Sequence, residues 1–558
     1  MKQDHFLRLA PAALGVTFLA GAASAQTNLQ TLLGDKANDR LGHVVRSAGD
    51  VNQDGTNDFI VGAPENGFVF SAGEGFARVY SGATGATLWT FNGQTADDGF
   101  GLAVDGIGDV NGDGRSDLII GAPFVNGQFG RVYVQSGATG ANLYTINGQA
   151  TGEQFGNAVA GVGDVNNDGV PDFAGGTFVA NGGGTLRGLV RVYSGATGLL
   201  IGTINGSIDN ERTATSFDGL GDLNGDGRSE IVIGSYFGGA KVYTYNGTSF
   251  SVLHTFPFVS NDDRFGFAVA NAGDVSGDGL NDILVSAPQD GNFFAPGNGY
   301  VRVYNGVSGS LIRTLTGGAA GDRFGISVAS ARDMDGDGKA ETIVGADQQG
   351  TGSNGYARLF KGSDGSVVGT LTGLASGSRC GASVDGLGDI NANGDFEVIV
   401  GMPERSVPLT LIGRADVWSF SLSSCPVPFT YCSANFNSTG GPALISNTGT
   451  TSAAANNLTL VATNCPANAF GLFYFGTTQV QVPFGNGNRC IGGTVRRMPT
   501  IAANGSGTAT FLVDNTQPIF SGLFTAGSTW KFQFWYRDPA GGGAAFNLTN
   551  GLSITFCN

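Results

Sequence analysis

Seven short segments of this 558-residue chain carry oxygen donors at alternate positions, most often as Asp-x-Asn-x-Asp-Gly-x-x-Asp. They begin at Asp50, Asp109, Asp164, Asp222, Asp274, Asp333 and Asp389. Carboxylate and amide oxygens spaced around a glycine turn suit a hard divalent cation. Calcium in particular takes six to eight oxygen ligands in a flexible cage. The first copy offers the side chains of Asp50, Asn52, Asp54 and Asp58 and the backbone carbonyl of Thr56. The second offers Asp109, Asn111, Asp113 and Asp117 with the carbonyl of Arg115, and the third Asp164, Asn166, Asp168 and Asp172 with that of Val170. The fourth has Asp222, Asn224, Asp226, Glu230 and the Arg228 carbonyl; the fifth has Asp274, Ser276, Asp278, Asp282 and the Leu280 carbonyl. Asp333, Asp335, Asp337, Glu341 and the Lys339 carbonyl form the sixth set. The seventh is Asp389, Asn391, Asn393, Glu397 and the Asp395 carbonyl, in which Asn393 lowers the ligand charge.

An EF-hand closes its loop with Glu at the twelfth position. Here that position holds Val61, Ile120, Gly175, Ile233, Val285, Val344 and Val400, so the acid at the ninth position takes the closing role. Plain turns also favour Asp, Asn and Gly, but they give no reason for an acid at the ninth position in all seven copies. The expected cofactor is therefore Ca2+, up to seven ions, one per loop. Seven divalent ions would nearly neutralise the formal charge of −16.

The loops recur 52 to 59 residues apart, which marks a repeat architecture. Nine residues before each loop stands an aromatic or aliphatic residue plus Gly: Leu41-Gly42, Phe100-Gly101, Phe155-Gly156, Phe265-Gly266 or Phe324-Gly325; Thr213-Ala214 and Cys380-Gly381 deviate. After each loop comes an apolar run such as Leu118-Ile119-Ile120, ending in Gly121-Ala122-Pro123 or a relative of it. Arg131-Val132-Tyr133 and its counterparts follow, and turns such as Ser136 to Gly140 lead into a fourth run. Four short strands joined by glycine turns make one antiparallel sheet. Sheets that cannot bury their faces alone stack into a ring, so the spacing predicts an all-β, seven-bladed β-propeller. Leu29 to Leu32 lies twelve residues before Leu41, as Leu88 lies twelve before Phe100. It therefore reads as a fourth strand that completes the last blade beside Ala415 to Phe420.

Phe-Gly, an acidic loop and Gly-Ala-Pro, in that order, resemble the FG-GAP repeats of the integrin α-subunit β-propeller. The resemblance covers roughly residues 29 to 421. It implies calcium sites between the first two strands of each blade and a role in extracellular recognition.

Lys2 and Arg8 precede an apolar run from Leu9 to Ala22, and Ala23-Ser24-Ala25 offers a small-residue cleavage site. Residues 1–25 thus read as an export signal, residues 26–421 as the propeller and residues 422–558 as a smaller β-sandwich domain. No later segment is long and apolar enough to span a bilayer, and the acidic balance argues against a nucleic-acid partner. The expected location is outside the cell or on its surface. The tail holds Cys425, Cys432, Cys465, Cys490 and Cys557. Sequence leaves their connectivity open, with Cys432–Cys557 and Cys465–Cys490 as the expected pairs, and Cys380 reads as a small buried residue. Beyond the signal only His43 and His254 remain, at unrelated repeat positions, and no nucleophile or phosphate-loop motif appears, so an enzyme is not expected. The expected function is a secreted calcium-binding module for adhesion or binding, with an unidentified extracellular protein or glycan as partner. A lectin-like glycan binder is the alternative, and a polysaccharide-active enzyme a more distant one. Phe68, Phe70, Phe124, Phe178, Tyr236, Phe237, Phe293 and Phe294, between second and third strands, are either ligand contacts or packing over the seams between blades.

Overall fold

In the computed structural model the chain is almost entirely β-strand. It describes residues 25–65, 73–180, 185–258, 262–290, 296–349, 352–391, 393, 395–404, 412–421, 428–449, 451, 456–520, 522–525 and 528–556. The expected export signal, except Ala25, lies outside them, as do Phe68, Phe70, Phe293, Phe294, Cys425 and Cys557.

Six of the repeats form four-stranded antiparallel sheets in sequence order. The second repeat is typical, with strands Ala103–Gly108, Asp117–Ala122, Arg131–Gln135 and Asn142–Asn147. Its second strand is buried at every residue, because a sheet packed on both faces leaves its central strand no solvent side. The fourth strand, at the rim, alternates exposed and part-buried positions. The seventh sheet is completed from the start of the chain. Ala25–Leu33 pairs antiparallel with Arg414–Ser421, setting Gln30 opposite Val417, as the spacing of Leu29 to Leu32 predicts. Thr31 donates to the buried Asp416 at 2.9 Å and receives a bond from Arg414 at 3.0 Å, so polar side chains as well as the strand ladder cross this seam.

Each apolar cluster draws on two consecutive sheets. Phe100, Val104 and Leu118 of the second meet Val79 and Ile60 of the first. Leu387 and Ile399 of the last sheet meet Phe59 and Val61 of the first, which closes the ring. The Phe-Gly pair is a device of these seams. Phe100 is buried, while Gly101 sits at φ 81°, where a Cβ would lie 2.3 Å from the carbonyl oxygen of Phe76. Only glycine fits that approach without strain.

The tail forms a sandwich. One sheet orders Phe429–Tyr431, Gly551–Thr555, Thr529–Arg537, Phe470–Gly476 and Arg496–Ala502, and the other Leu444–Thr448, Thr459–Thr463 and Ala509–Leu512. Phe473, Phe475, Phe532 and Phe534 from the first pack with Ile445, Leu460 and Ala462 from the second. Cys432 is bonded to Cys490, and Cys465 is a buried free thiol. This corrects both expected pairs: Cys465 sits in the sandwich core, on the far side of the sheet from Cys490 and the hairpin that carries it. Among the described residues no helix is long and apolar enough to cross a membrane.

Candidate metal centres

Every acidic loop joins the first strand of a sheet to the second, so all seven lie at one end of the ring. The first strand ends in a bulge in each sheet, for example between Gly106 and Gly108. The residue just before the loop has positive φ throughout: Gly108 stands at 74°, and its counterpart in the sixth sheet is Arg332 at 62°. A bulge of this kind adds local twist and turns the chain out of the sheet. Here it delivers the first aspartate to the loop.

Within the loops the donors fold back on the backbone in a constant pattern. Asp50 accepts from the N–H groups of Asp54 and Gly55 at 3.2 and 2.9 Å, Asn52 from Asp54 at 2.8 Å, and Asp54 from Thr56 at 3.0 Å. The same bonds recur in the second loop at Asp109, Asn111 and Asp113 and in the third at Asp164, Asn166 and Asp168. The fourth repeats them at Asp222, Asn224 and Asp226, and the fifth at Asp274 and Asp278. Asp333, Asp335 and Asp337 follow suit in the sixth loop, and Asp389, Asn391 and Asn393 in the seventh. The seventh-position residues differ in type because their side chains do something else. Arg115 donates to the Val51 carbonyl at 3.4 Å, Arg228 to that of Asn166 and Lys339 to that of Ser276 at 3.0 Å. They staple each loop to the one before it, whereas Thr56, Val170, Leu280 and Asp395 present other side chains at this position.

The ninth-position acid is fully buried in every loop: Asp58, Asp117, Asp172, Glu230, Asp282, Glu341 and Glu397. Asp172 accepts from Val165 at 2.9 Å, from Asn166 at 3.2 Å and from Gly195, in the turn between third and fourth strands, at 3.0 Å. It therefore ties the start of its loop to the outer hairpin of the sheet. Burial lifts Asp58, Asp117 and Asp172 to about 6, against the pull of these N–H groups, and the other carboxylates of each loop push the same way. Glu341 rises to about 7 on the same grounds, and Glu230, Asp282 and Glu397 are raised as well.

Desolvated carboxylates that face one another gain most from a cation, which supplies the missing counter-charge. In the sixth loop, oxygens of Asp333, Asp335 and Glu341 all lie within 4.8 Å of one another, a set able to hold a metal ion. Elsewhere Asn or Ser replaces Asp335, and it stays beside the buried acid: the amides of Asn111, Asn224 and Asn391 lie 3.2, 2.7 and 3.1 Å from Asp117, Glu230 and Glu397. The extra carboxylate of Asp335 is matched by Lys361 at 2.7 Å. The sixth loop thus has much the same charge as its neighbours. The hard-oxygen donor set fits calcium better than zinc, which favours nitrogen and sulfur.

A second set of repeated acids lies at the other end of the sheets, two residues before the Phe-Gly position. Asp39, Asp98, Glu153, Glu211 and Asp322 accept backbone N–H groups of their own turns, as in Asp39 with Lys36 at 2.8 Å. Glu153 also holds Arg191, and Glu211 holds Lys241 at 2.9 Å. These are structural caps. Alignment of the repeats on Phe-Gly rather than on the loops would have found them.

The first strands line a central channel of about 720 Å3. Asp105, Asp218 and Asp385 project into it, and each accepts an N–H from the next sheet: Gly161 at 3.0 Å, Asn271 at 2.9 Å and Ser47 at 2.7 Å. Burial raises Asp105 to about 8 and Asp218 to about 6, with Arg46 pulling the other way. A carboxyl whose folded pKa exceeds its unfolded value binds its proton more tightly in the folded state. The ring therefore loses stability from this group as pH rises from about 4 towards 8. Asp105→Asn keeps an acceptor for Gly161 and removes the charge. Thermal unfolding at pH 8 is expected to show a gain of about 1 kcal/mol, since the channel admits water, with little change at pH 4. A variant no more stable at either pH would contradict this reading of the channel.

Among the described residues the histidines are His43 and His254, in unrelated surroundings. Burial, helped by Arg40 and Arg379, holds His43 neutral with a pKa of about 3, and His254 lies 3.1 Å from the Gly306 carbonyl. Cys380 is buried in a seam, where desolvation raises its thiol to about 12. Phe124, Phe178, Tyr236 and Phe237 are half-buried.

Comparison with known proteins agrees with this architecture. An FG-GAP repeat matches residues 100–134 and an FG-GAP-like repeat residues 222–285. Integrin alpha-5 of Xenopus laevis is 30% identical over 221 residues, which is 36% of this chain and 20% of that protein. Integrin alpha-V of Gallus gallus is 34% identical over 170 residues, 28% of this chain and 16% of the relative. Integrin alpha-4 of Xenopus laevis is 32% identical over 142 residues, 22% and 13% respectively. The chain thus spans a fifth or less of these relatives. With its Phe-Gly seams, acidic loops and ring of four-stranded sheets, the chain is an FG-GAP repeat protein that resembles the N-terminal propeller of the integrin α subunits.

Proposed function

We propose that this protein is a secreted, calcium-braced, seven-bladed propeller that acts as an extracellular binding or adhesion module. In this reading residues 1–25 direct export, residues 26–421 form the propeller and residues 422–558 an appended sandwich. The observation that carries it is the loop geometry. Seven sets of hard oxygens stand at one end of the ring, each built around a buried acid, and in one set three carboxylates come within 4.8 Å. Asp50, Asn52, Asp54 and Asp58, with the Thr56 carbonyl, would hold the first ion, and the corresponding residues of the other loops up to six more. A bound ion would supply charge compensation and fix the turn between the first two strands; it has no chemical step to perform. Similarity to integrin α subunits supports a binding role over an enzymatic one, and the end of the ring opposite the loops is the face assigned to it.

The test is capture. The calcium-loaded protein, immobilised, is expected to retain an extracellular protein and to show no hit on a glycan array. Specific glycan binding without protein capture would move the reading to a lectin.

A further inference from the structure

The opposite end of the ring carries a line of charge that the metal loops do not explain. Aligned on Phe-Gly, five repeats have arginine at the preceding residue: Arg40, Arg212, Arg264, Arg323 and Arg379. All five share one backbone conformation, with φ between 50° and 56°. In three sheets a carboxylate just after the second strand sits between the arginine of its own sheet and that of the next. Asp290 holds Arg264 at 2.7 Å and Arg323 at 2.9 Å. Asp347 holds Arg323 at 2.9 Å and Arg379 at 2.7 Å. Glu404 holds Arg379 at 2.8 Å and Arg40 at 3.1 Å.

The fourth sheet breaks the line. Its corresponding stretch is Tyr236-Phe237, and the Tyr236 ring stands where the carboxylate would be. The guanidinium carbons of Arg212 and Arg264 lie 5.6 and 4.6 Å from its centroid. An aromatic face attracts a cation without cancelling its charge. Five guanidiniums therefore stand against three carboxylates, with the surplus at Arg212, Tyr236 and Arg264. Neighbouring acids are engaged elsewhere: Asp209 with Arg187 at 2.8 Å, Glu211 with Lys241, and Asp263 with the Gln289 amide at 2.9 Å. Burial raises the pKa of the Tyr236 hydroxyl, and among the charges that reach it Arg264, Arg212 and Arg323 pull it down while Asp290 pushes it up. The Nε atoms of Arg212 and Arg264 are buried without a hydrogen-bond partner among the described residues. Buried donors left in this state are costly until an acceptor reaches them.

We propose that this gap in the ion-pair line is a binding site for a carboxylate side chain of an acidic protein segment. The forks of Arg212 and Arg264 take the anion, as guanidinium groups take carboxylates generally. Tyr236, Phe237 and Phe267 supply the apolar wall, with ring centroids 4.6 Å apart for the first pair and 6.1 Å for Tyr236 and Phe267. Arginine and tyrosine packed together are the composition of protein hot spots, which favours a protein over a polysaccharide. The inference names a partner class for the binding module proposed above and rests on that reading.

The test uses the full calcium-loaded chain and a fluorescently labelled hexaglutamate peptide, with binding read by anisotropy. Arg212→Gln removes one fork. Tyr236→Asp inserts a carboxylate between Arg212 and Arg264, as the next three sheets already have, so the fold has a precedent for it. Each variant is expected to bind the peptide roughly tenfold more weakly or worse, with an unchanged melting temperature. No binding by the native protein, or equal binding by native protein and both variants, overturns the proposal. Tighter binding of polygalacturonate that both substitutions abolish reassigns the site to polyuronates and overturns the protein partner. Melting in chelator, run on the same samples, separates the two readings. Chelator-sensitive melting without peptide binding removes only this site, and peptide binding without chelator sensitivity removes only the metal reading.

Discussion

Chelation is expected to lower the melting temperature of the calcium-loaded protein, with the loss growing with the calcium concentration from which it is measured. Each loop crowds two or more carboxylates into one short turn, and in the sixth Lys361 offsets Asp335 and Asp337. Burial above all, and the other acids of their loops in addition, push the ninth-position acids upward. Withdrawing a cation leaves these groups to repel one another or to take up protons. A ligand that binds only the folded state at 100 times its dissociation constant contributes about 2.7 kcal/mol for one site. Occupancy of even two loops would thus be a sizeable part of the stability of a domain. Scanning calorimetry in calcium and in excess chelator measures it. Coincident melting curves would contradict the role given to the loops.

Asp172→Ala is expected to destabilise the protein by about 3 to 5 kcal/mol, even in chelator, because it strands buried donors. Its carboxylate receives Val165, Asn166 and Gly195, and alanine leaves all three N–H groups inside without an acceptor. Asp172→Asn keeps one acceptor oxygen and should lose less in chelator. In calcium the gap between the two variants should persist, while both gain less from calcium than the native protein, since both lack the ninth carboxylate. Chemical denaturation of the three proteins under both conditions checks this. An alanine variant as stable as the native protein in chelator would show that the ninth acid does not brace the sheet. The same comparison separates the metal role of the acid from its hydrogen-bonding role.

Much of the scaffold was legible in the sequence, for a physical reason. Seven copies of one unit expose their own alignment, and the period-two runs between glycine turns can form only short antiparallel strands. The closing strand could be placed because Leu29 and Leu88 stand at equal distances from the pair that follows. The bulge glycine before six of the seven loops, Gly108 for example, was in plain view but looked like one more turn residue. The Arg212–Tyr236–Arg264 gap was not legible. It depends on which residue fills the space between adjacent sheets, and neither arginine is unusual in sequence alone. The capping acids Glu153 and Glu211 stand two residues before the Phe-Gly position and emerge as a set only when the repeats are aligned on that pair. The disulfide was misread because the sandwich folds Cys432 back beside Cys490 across 58 residues, a distance that carries no local pattern. The identity of seventh-position residues such as Arg115 and Lys339 also made no sense until the preceding loop was seen beside them.

A crystal structure of the protein grown in calcium, with anomalous difference maps, tests the central claim most directly. The account predicts a strong peak in the sixth loop at about 2.3 to 2.6 Å from oxygens of Asp333, Asp335 and Glu341. It predicts matching peaks beside Asp58, Asp117, Asp172, Glu230 and Asp282, and the weakest beside Glu397, where Asn393 lowers the charge. Loops that keep their shape in millimolar calcium with no peak at any of the seven would contradict it.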